Sequence, residues 1–156
     1  MKIGVVSDSH DNVPMIRKAV EVLNREGVGA VLHAGDYVAP FSAKEFLKAK
    51  APISGVFGNN DGERTGLAKV LLDVMPGPRL LDMGGITIVL AHEGGAIEPP
   101  LLAQADVAVF GHTHKAVVEK GRVLRLNPGE CGGWLTGRCT VAILDTDTLD
   151  VKIVDL

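Results

Sequence analysis

The chain has 156 residues, 46% of them hydrophobic and 22% charged, and a net charge of −3. This composition argues against a disordered chain, and the negative charge argues against a protein that bulk charge holds on nucleic acid or anionic lipid. At about 150 residues per domain, the length predicts a single domain over residues 1–156.

Strands alternate with helices in the first part of the chain. Apolar runs predict strands at Ile3–Ser7, Gly29–His33 and Ile53–Phe57. Apolar positions at helical spacing predict helices at Val13–Glu26 and Phe41–Lys50. This βαβαβ order predicts a parallel sheet with right-handed crossovers.

The pattern changes after the third strand. Short helices are predicted at Gly66–Val74 and Leu101–Ala105. Strands are predicted in a hairpin at Arg79–Met83 and Ile86–Leu90, as a buried strand at Val107–Phe110, and as antiparallel strands at Val117–Glu119, Val123–Leu126, Cys139–Leu144 and Val151–Val154. No repeat or linker divides the chain.

The two cysteines, Cys131 and Cys139, form neither a CxxC pair nor a disulfide framework. The apolar run Ile3–Val6 is too short for a secretory signal, and no apolar stretch is long enough to span a membrane. We therefore expect a cytoplasmic protein with reduced thiols and no membrane segment.

Polar clusters follow five of the predicted strands, at the edge where open α/β sheets bind ligands. They are Asp8-Ser9-His10, Gly35-Asp36, Gly58-Asn59-Asn60-Asp61, Ala91-His92 and Gly111-His112-Thr113-His114. Asp, Asn and Gly also belong in ordinary turns, Asn59 taken alone fits a left-handed turn, and His92 fits a core histidine. Four of the chain's 5 histidines lie in these clusters, and ordinary turns do not require histidine. A single site formed by all five clusters is therefore the better interpretation.

The donor atoms in these clusters are oxygen and imidazole nitrogen, without thiolate. This set suits Mn²⁺, Fe²⁺, Co²⁺, Ni²⁺ or Zn²⁺. The number of candidate ligands is too large for one catalytic ion that keeps an open position. It suits two ions that share a carboxylate. Such pairs, about 3.5–4 Å apart, serve in-line displacement at phosphorus.

In this order, the motifs DxH, GD, GN, H and GHxH resemble the signature of the calcineurin-like metallophosphoesterase superfamily. The resemblance runs from Asp8 to the turn Asn127-Pro128-Gly129, and the short length is similar to the compact bacterial and archaeal phosphodiesterase branch. It implies an α/β fold, a four-layer α/β/β/α sandwich with two mixed β-sheets.

The resemblance also implies a role for each ligand. The first metal would be bound by Asp8, His10 and His114, the second by Asn59, His92 and His112, with Asp36 as the bridging carboxylate. Larger relatives carry a histidine at the position of Asn60, which here cannot protonate a leaving group but can donate a hydrogen bond to a phosphate oxygen. Asp36 and Asn60 are thus the expected catalytic residues.

The sequence predicts a metal-dependent phosphodiesterase in which a hydroxide between two ions, Mn²⁺ first among them, attacks a small phosphodiester. The alternative is a metal-binding scaffold for protein partners, because a eukaryotic retromer subunit resembles the same branch. The negative charge and the lack of a Lys/Arg run argue against polymeric nucleic acid as substrate. Free sheet edges would allow a homo-oligomer.

Several polar residues near the motifs were assigned no ligand role. His33 is interpreted as structural, and Asp11 and Asp61 as turn residues or as carboxylates behind the ligands. Glu93 is a candidate for the same outer position. Trp134 is either a surface contact or a wall of the substrate site.

Overall fold

We describe a computed structural model of residues 1–156, built around two β-sheets. The strands are β1 (Lys2–Val6), β2 (Ala30–His33), β3 (Ile53–Val56), β4 (Val74–Met75), β5 (Arg79–Met83), β6 (Ile86–Leu90), β7 (Val107–Val109), β8 (Ala116–Glu119), β9 (Leu124–Pro128), β10 (Thr140–Asp145) and β11 (Val151–Asp155). The α-helices are α1 (Val13–Glu26), α2 (Pro40–Ala43), α3 (Arg64–Leu71) and α4 (Pro99–Leu102), with 3₁₀ turns at Lys44–Lys48 and Gly94–Ala96. None of these helices combines the length and apolar character needed to cross a bilayer.

The first sheet has six strands in the order β11-β10-β1-β2-β3-β4. Strands β1 to β4 are parallel, with Ile3 opposite Ala30 and Val31 opposite Ile53. The predicted parallel βαβαβ arrangement is therefore confirmed. β10 is antiparallel to β1 and to β11, as the sequence predicted for the last two strands.

The second sheet has five strands in the order β5-β6-β7-β9-β8. The predicted hairpin is present, with Arg79 opposite Leu90. The wholly antiparallel prediction for β9 was wrong, because β9 is antiparallel to β8 but parallel to β7. The chain reverses direction between β7 and the edge strand β8, and it reverses again between β8 and β9. β9 therefore runs in the same direction as β7, its other neighbour.

The two sheets pack face to face around one apolar cluster, to which Val5, Leu32, Leu90, Val109 and Leu126 belong. A second cluster fills the space between the first sheet and helices α1 and α3. A third lies between the second sheet and the segment around α4. These layers are the four-layer sandwich that the resemblance implied.

Helix α1 has the predicted bounds because its sequence carries both boundary signals. Asn12 Oδ1 accepts the backbone N–H of Met15 (3.4 Å) at its start. Gly27, with φ of 67°, ends the helix in the left-handed conformation that glycine adopts without steric cost. Ile16 and Leu23 are fully buried on its inner face.

The predicted helix Phe41–Lys50 was wrong in type and length, because only one α-helical turn forms before a 3₁₀ segment. The tighter turn places Phe46 in the core, its ring centroid 5.0 Å from that of His33. Helix α3 ends three residues before the predicted Val74 because Leu72 adopts a φ of 61°. The chain leaving it can then pair as β4 with β3.

Candidate metal centre

The loops that follow β1, β2, β3, β6 and β7 place the predicted ligands at one edge of the sandwich. Positive φ angles occur at five of them: Asp8 (52°), His10 (41°), Asp36 (60°), His112 (66°) and His114 (61°). Left-handed backbone is uncommon outside glycine, although Asp and His tolerate it better than most residues, and it is concentrated at functional sites. The GHxH segment therefore has left-handed backbone at both of its histidines.

Three side chains form what we call the first cluster: Asp8, His10 and His114, which offer ligand atoms within 4.8 Å of one another. Asp8 Oδ1 lies 3.9 Å from His10 Nε2 and 3.6 Å from His114 Nε2. The two imidazole rings stack, with centroids 5.1 Å apart. This is the trio that the motif assigned to the first metal.

The second cluster consists of Asn59, His92 and His112. Asn59 Oδ1 lies 2.8 Å from His92 Nε2 and 3.0 Å from His112 Nδ1. The two imidazole nitrogens are 3.3 Å apart. Three atoms that could bind a metal, each from a different loop, thus lie close together.

Asp36 lies between the two clusters and is almost fully buried. Its Oδ2 is 3.4 Å from His10 Nε2 and 3.5 Å from His92 Nε2, so one oxygen faces a ligand of each cluster. Asp8 also reaches both sides, since Asp8, Asp36 and His92 form another group of ligand atoms within 4.8 Å. The bridging position assigned to Asp36 is compatible with this geometry.

Two buried polar atoms at the centre have no hydrogen-bond partner. Asp8 Oδ2 accepts the backbone N–H of His112 (3.1 Å), but Asp8 Oδ1 and His10 Nε2 are buried without a hydrogen-bond partner. An unsatisfied buried polar group costs about 1–3 kcal/mol. Two atoms bound to one ion at about 2.1 Å lie roughly 3–3.5 Å apart, close to the spacings found here. These residues fit a divalent cation.

The second cluster supports the same conclusion. The contact between His92 Nδ1 and the carbonyl oxygen of Ala34 (2.8 Å) fixes the orientation of the ring. Its Nε2 then lies 2.8 Å from Asn59 Oδ1. An imidazole nitrogen beside an amide oxygen is a ligand pair that suits a divalent cation.

Burial dominates the protonation of Asp8. It raises the pKa of this carboxyl above its usual value, and the neighbouring Ser7 hydroxyl and the imidazoles of His92 and His114 oppose it only in part. A cation beside Asp8 Oδ1 would favour the carboxylate.

Glu130 is the site residue that sequence reasoning missed. Its side chain is fully buried, and Oε2 accepts His114 Nδ1 (2.8 Å). The carboxylate also accepts the backbone N–H of Leu135 (3.1 Å) and the hydroxyl of Thr136 (2.6 Å). Burial raises the pKa of Glu130, but hydrogen bonds from Thr136 and His114 outweigh it and lower the pKa overall. The only sequence signal was an acidic residue directly after the Asn-Pro-Gly turn.

Asp61 and Asn60 hold the loops that carry Asp36 and Asn59. Asp61 accepts the backbone N–H groups of Asp36 (3.0 Å), Val38 (2.7 Å) and Gly58 (2.7 Å), which is the outer position expected for it. Asn60 Nδ2 donates to Asp36 Oδ2 (2.8 Å), so the predicted phosphate donor contacts the carboxylate of Asp36.

The remaining residues considered from the sequence lie around the centre. His33 is fully buried, accepts the backbone N–H of Gly35 at Nδ1 (3.2 Å) and stacks on Tyr37 with centroids 3.7 Å apart. Burial lowers the pKa of His33 well below its usual value, consistent with a neutral structural histidine. Trp134 is exposed and donates to the carbonyl oxygen of His10 (3.1 Å), so it contacts the loop that carries a residue of the first cluster.

Known proteins and solved structures resemble this chain over most or all of its length. The family model of the calcineurin-like phosphoesterase superfamily domain matches residues 1–149. Phosphodiesterase MJ0936 of Methanocaldococcus jannaschii is 41% identical over 100% of this chain and 99% of its own length. The solved structure of an archaeal phosphodiesterase superposes with a TM-score of 0.91 at 38% identity and covers 100% of both chains. Zinc-complexed Vps29 of Entamoeba histolytica shares the fold, with a TM-score of 0.70 at 18% identity over 100% of this chain and 98% of that one.

Proposed function

Because the chain belongs to the calcineurin-like phosphoesterase superfamily, we propose that it hydrolyses small phosphodiesters with two divalent ions, Mn²⁺ by preference. The observation that carries the proposal is the pair of donor clusters separated by Asp36, with buried polar atoms on Asp8 and His10 that have no hydrogen-bond partner. The free Cys131 and Cys139 suit a cytoplasmic, reducing compartment.

Each cluster would hold one ion. Asp8, His10 and His114 would bind the first, Asn59, His92 and His112 the second, and Asp36 would contact both. When bound, the ions supply a hydroxide near neutral pH and neutralise negative charge on the phosphoryl oxygens.

The protein's own groups fix the ligands and the substrate. The carbonyl oxygen of Ala34 and the carboxylate of Glu130 hold the rings of His92 and His114, so that Nε2 of each faces the centre. The Asn60 amide, which contacts Asp36 Oδ2 at 2.8 Å, is the neutral donor available for a phosphoryl oxygen. Since Asn60 has no proton to give a leaving group, esters of acidic alcohols should react fastest.

The diester preference rests on similarity. The relative that is 41% identical over the whole chain is named a phosphodiesterase. The finer features proposed here, two ions and a bridging hydroxide, are supported by the two clusters and by the position of Asp36 between them.

The decisive experiment compares an aryl phosphodiester with the matching aryl monoester, using chelator-stripped protein with and without Mn²⁺. We expect hydrolysis that returns with metal, is faster on the diester and is lost in Asp36→Ala. Glu21→Gln, an exposed substitution on α1, serves as a matched acidic control. Metal binding shown by calorimetry without hydrolysis under Mn²⁺, Co²⁺ or Ni²⁺ would refute the proposal and favour the scaffold.

The same preparation tests polymeric nucleic acid as substrate. Binding to single-stranded DNA that weakens steeply with salt would indicate phosphate contacts along a polymer. The net charge of −3 leads us to expect no such binding.

A further inference from the structure

Two clefts open beside the candidate centre, one at each cluster. The first cleft, of about 280 Å³, is lined by Asn59 and His92 of the second cluster and by Arg64 and Glu93. The second cleft, of about 290 Å³, is lined by His114 of the first cluster and by Lys115, Thr136, Arg138 and Thr140. Each has room for a substituent the size of roughly ten water molecules. A phosphomonoester has one organic arm, whereas a phosphodiester has two, one for each cleft.

The two clefts differ in charge. The first contains one cation and one carboxylate, and Arg64 is already held there, because its Nε donates to the carbonyl oxygen of Asp61 (3.1 Å). Its guanidinium also covers the ring of Phe57, 5.4 Å from the centroid. The second cleft is lined by two cations and by no carboxylate.

Both cations of the second cleft have N–H groups that form no hydrogen bond within the chain. Lys115 is exposed and forms no hydrogen bond or ion pair within the chain. Arg138 binds Asp155 through Nε (2.6 Å) and Nη2 (3.1 Å), which leaves Nη1 for another acceptor. Because Asp155 offsets part of the charge of Arg138, Lys115 is the principal uncompensated cation.

The two hydroxyls of this cleft have their protons engaged elsewhere. Thr136 Oγ1 donates to Glu130 (2.6 Å) and Thr140 Oγ1 donates to the carbonyl oxygen of Pro128 (2.7 Å). They can accept hydrogen bonds but have no proton left to give. An anion in this cleft would therefore be recognised by the ammonium of Lys115 and by Arg138 Nη1.

We propose that the second cleft binds the non-leaving arm of the phosphodiester and selects an arm that carries a second anionic group, such as a carboxylate or a phosphate. This rests on the proposed function and deepens it by assigning a substrate class. The leaving arm then lies at the first cleft, where the charges are balanced. His114 of the first cluster and Lys115 line the same cleft, which joins the proposed anion site to the centre.

The test uses p-nitrophenyl phosphodiesters that differ only in the end of the second arm: a carboxylate, its methyl ester, a phosphate, or a trimethylammonium group. For the wild type with Mn²⁺, we expect kcat/KM to be higher for the anionic arms than for the methyl ester. In Lys115→Ala the ratio of anionic to methyl-ester kcat/KM should fall about tenfold, mainly through KM, and the wild-type ratio should shrink as salt is added.

A charge reversal makes the test independent of folding defects. Lys115→Glu should invert the order and favour the trimethylammonium arm, which a damaged protein would not do. Lys69→Ala, which removes an exposed lysine on α3, should keep the wild-type ratio.

The outcomes separate this inference from the proposed function. If the methyl-ester substrate is not hydrolysed with metal, the proposed function fails. If it is hydrolysed but the arms are not distinguished, or if Lys115→Glu changes all four substrates alike, the inference is overturned. Discrimination in favour of either anionic arm supports it when Lys115→Ala weakens that preference and Lys115→Glu inverts it.

Discussion

Replacing Glu130 by glutamine should weaken metal binding at the first cluster while leaving the fold intact. The carboxylate accepts four donors: His114 Nδ1, the backbone N–H groups of Leu135 and Thr136, and the Thr136 hydroxyl. Glutamine has one acceptor oxygen, and its NH₂ group would face donors that now meet an oxygen. The substitution keeps the shape of the side chain and removes its charge.

The magnitude follows from what is lost. If the amide oxygen stays with Thr136, the NH₂ group faces His114 Nδ1, and a charge-assisted hydrogen bond worth about 1.5–3 kcal/mol disappears. The His114 ring is then free to turn its Nε2 away from Asp8. Removing such an outer partner typically costs about 10–100-fold in metal affinity.

Calorimetric titration of chelator-stripped protein with Mn²⁺ measures this directly. We expect the dissociation constant at one of two sites to rise about 10–100-fold in Glu130→Gln, and excess Mn²⁺ to restore most of the diester hydrolysis. Glu21→Gln should titrate like the wild type. A folded Glu130→Gln protein that binds both ions within about threefold of the wild-type affinity would refute the role given to Glu130.

Three further predictions concern other parts of the molecule. Asn60→His should increase hydrolysis of alkyl diesters relative to aryl diesters by about tenfold or more, because the imidazole can protonate a poor leaving group; an unchanged or lower ratio of the two rates would contradict this. Because burial holds the pKa of His33 well below 6.5, the unfolded chain takes up a proton that the native ring does not as the pH falls below that value. We therefore expect the difference in free energy of unfolding between the wild type and His33→Gln to decline from pH 6.5 downward, by at most about 1.4 kcal/mol per pH unit. The measurement is made with chelator present. A constant difference from pH 7.5 to 5 would show that His33 is not a buried neutral histidine. Hydrogen bonds from Arg17 and Lys48 lower the pKa of Glu45 from 4.5 to about 2, so its contribution to stability is present above pH 4.5 and is lost as the pH falls through about 2. Glu45→Gln should lower the melting temperature at pH 7 more than at pH 2, and equal shifts at both pH values would count against the ion pairs.

The grouping of the candidate ligands could be predicted from the sequence because its signals are local. Asp8 and Asp36 follow β1 and β2 of the first sheet, and His92 follows β6 of the second. The role of each ligand was implied by the family resemblance and stays a prediction. The first sheet was predictable for the same reason, since its parallel strands are separated by helices with their own boundary signals.

What could not be predicted depends on contacts between distant segments. Glu130 gains its role only when the loop containing Thr136 folds back over it, and an acidic residue after a glycine turn otherwise predicts an exposed loop. The direction of β9 depends on where β8 is placed in the sheet. The left-handed backbone at His112 is accompanied by a hydrogen bond from its N–H to Asp8, a contact between distant segments that sequence periodicity does not reveal.

The three hydrogen bonds accepted by Asp61 fasten the loops after β2 and β3 to each other through protein groups alone. These bonds hold the backbone of Asp36 and of Gly58, which precedes Asn59, without help from an ion. Small metal-nucleated domains unfold when a chelator removes their ion, because the ion supplies the free energy of folding. For this protein we expect the opposite, a fold that survives treatment with a chelator.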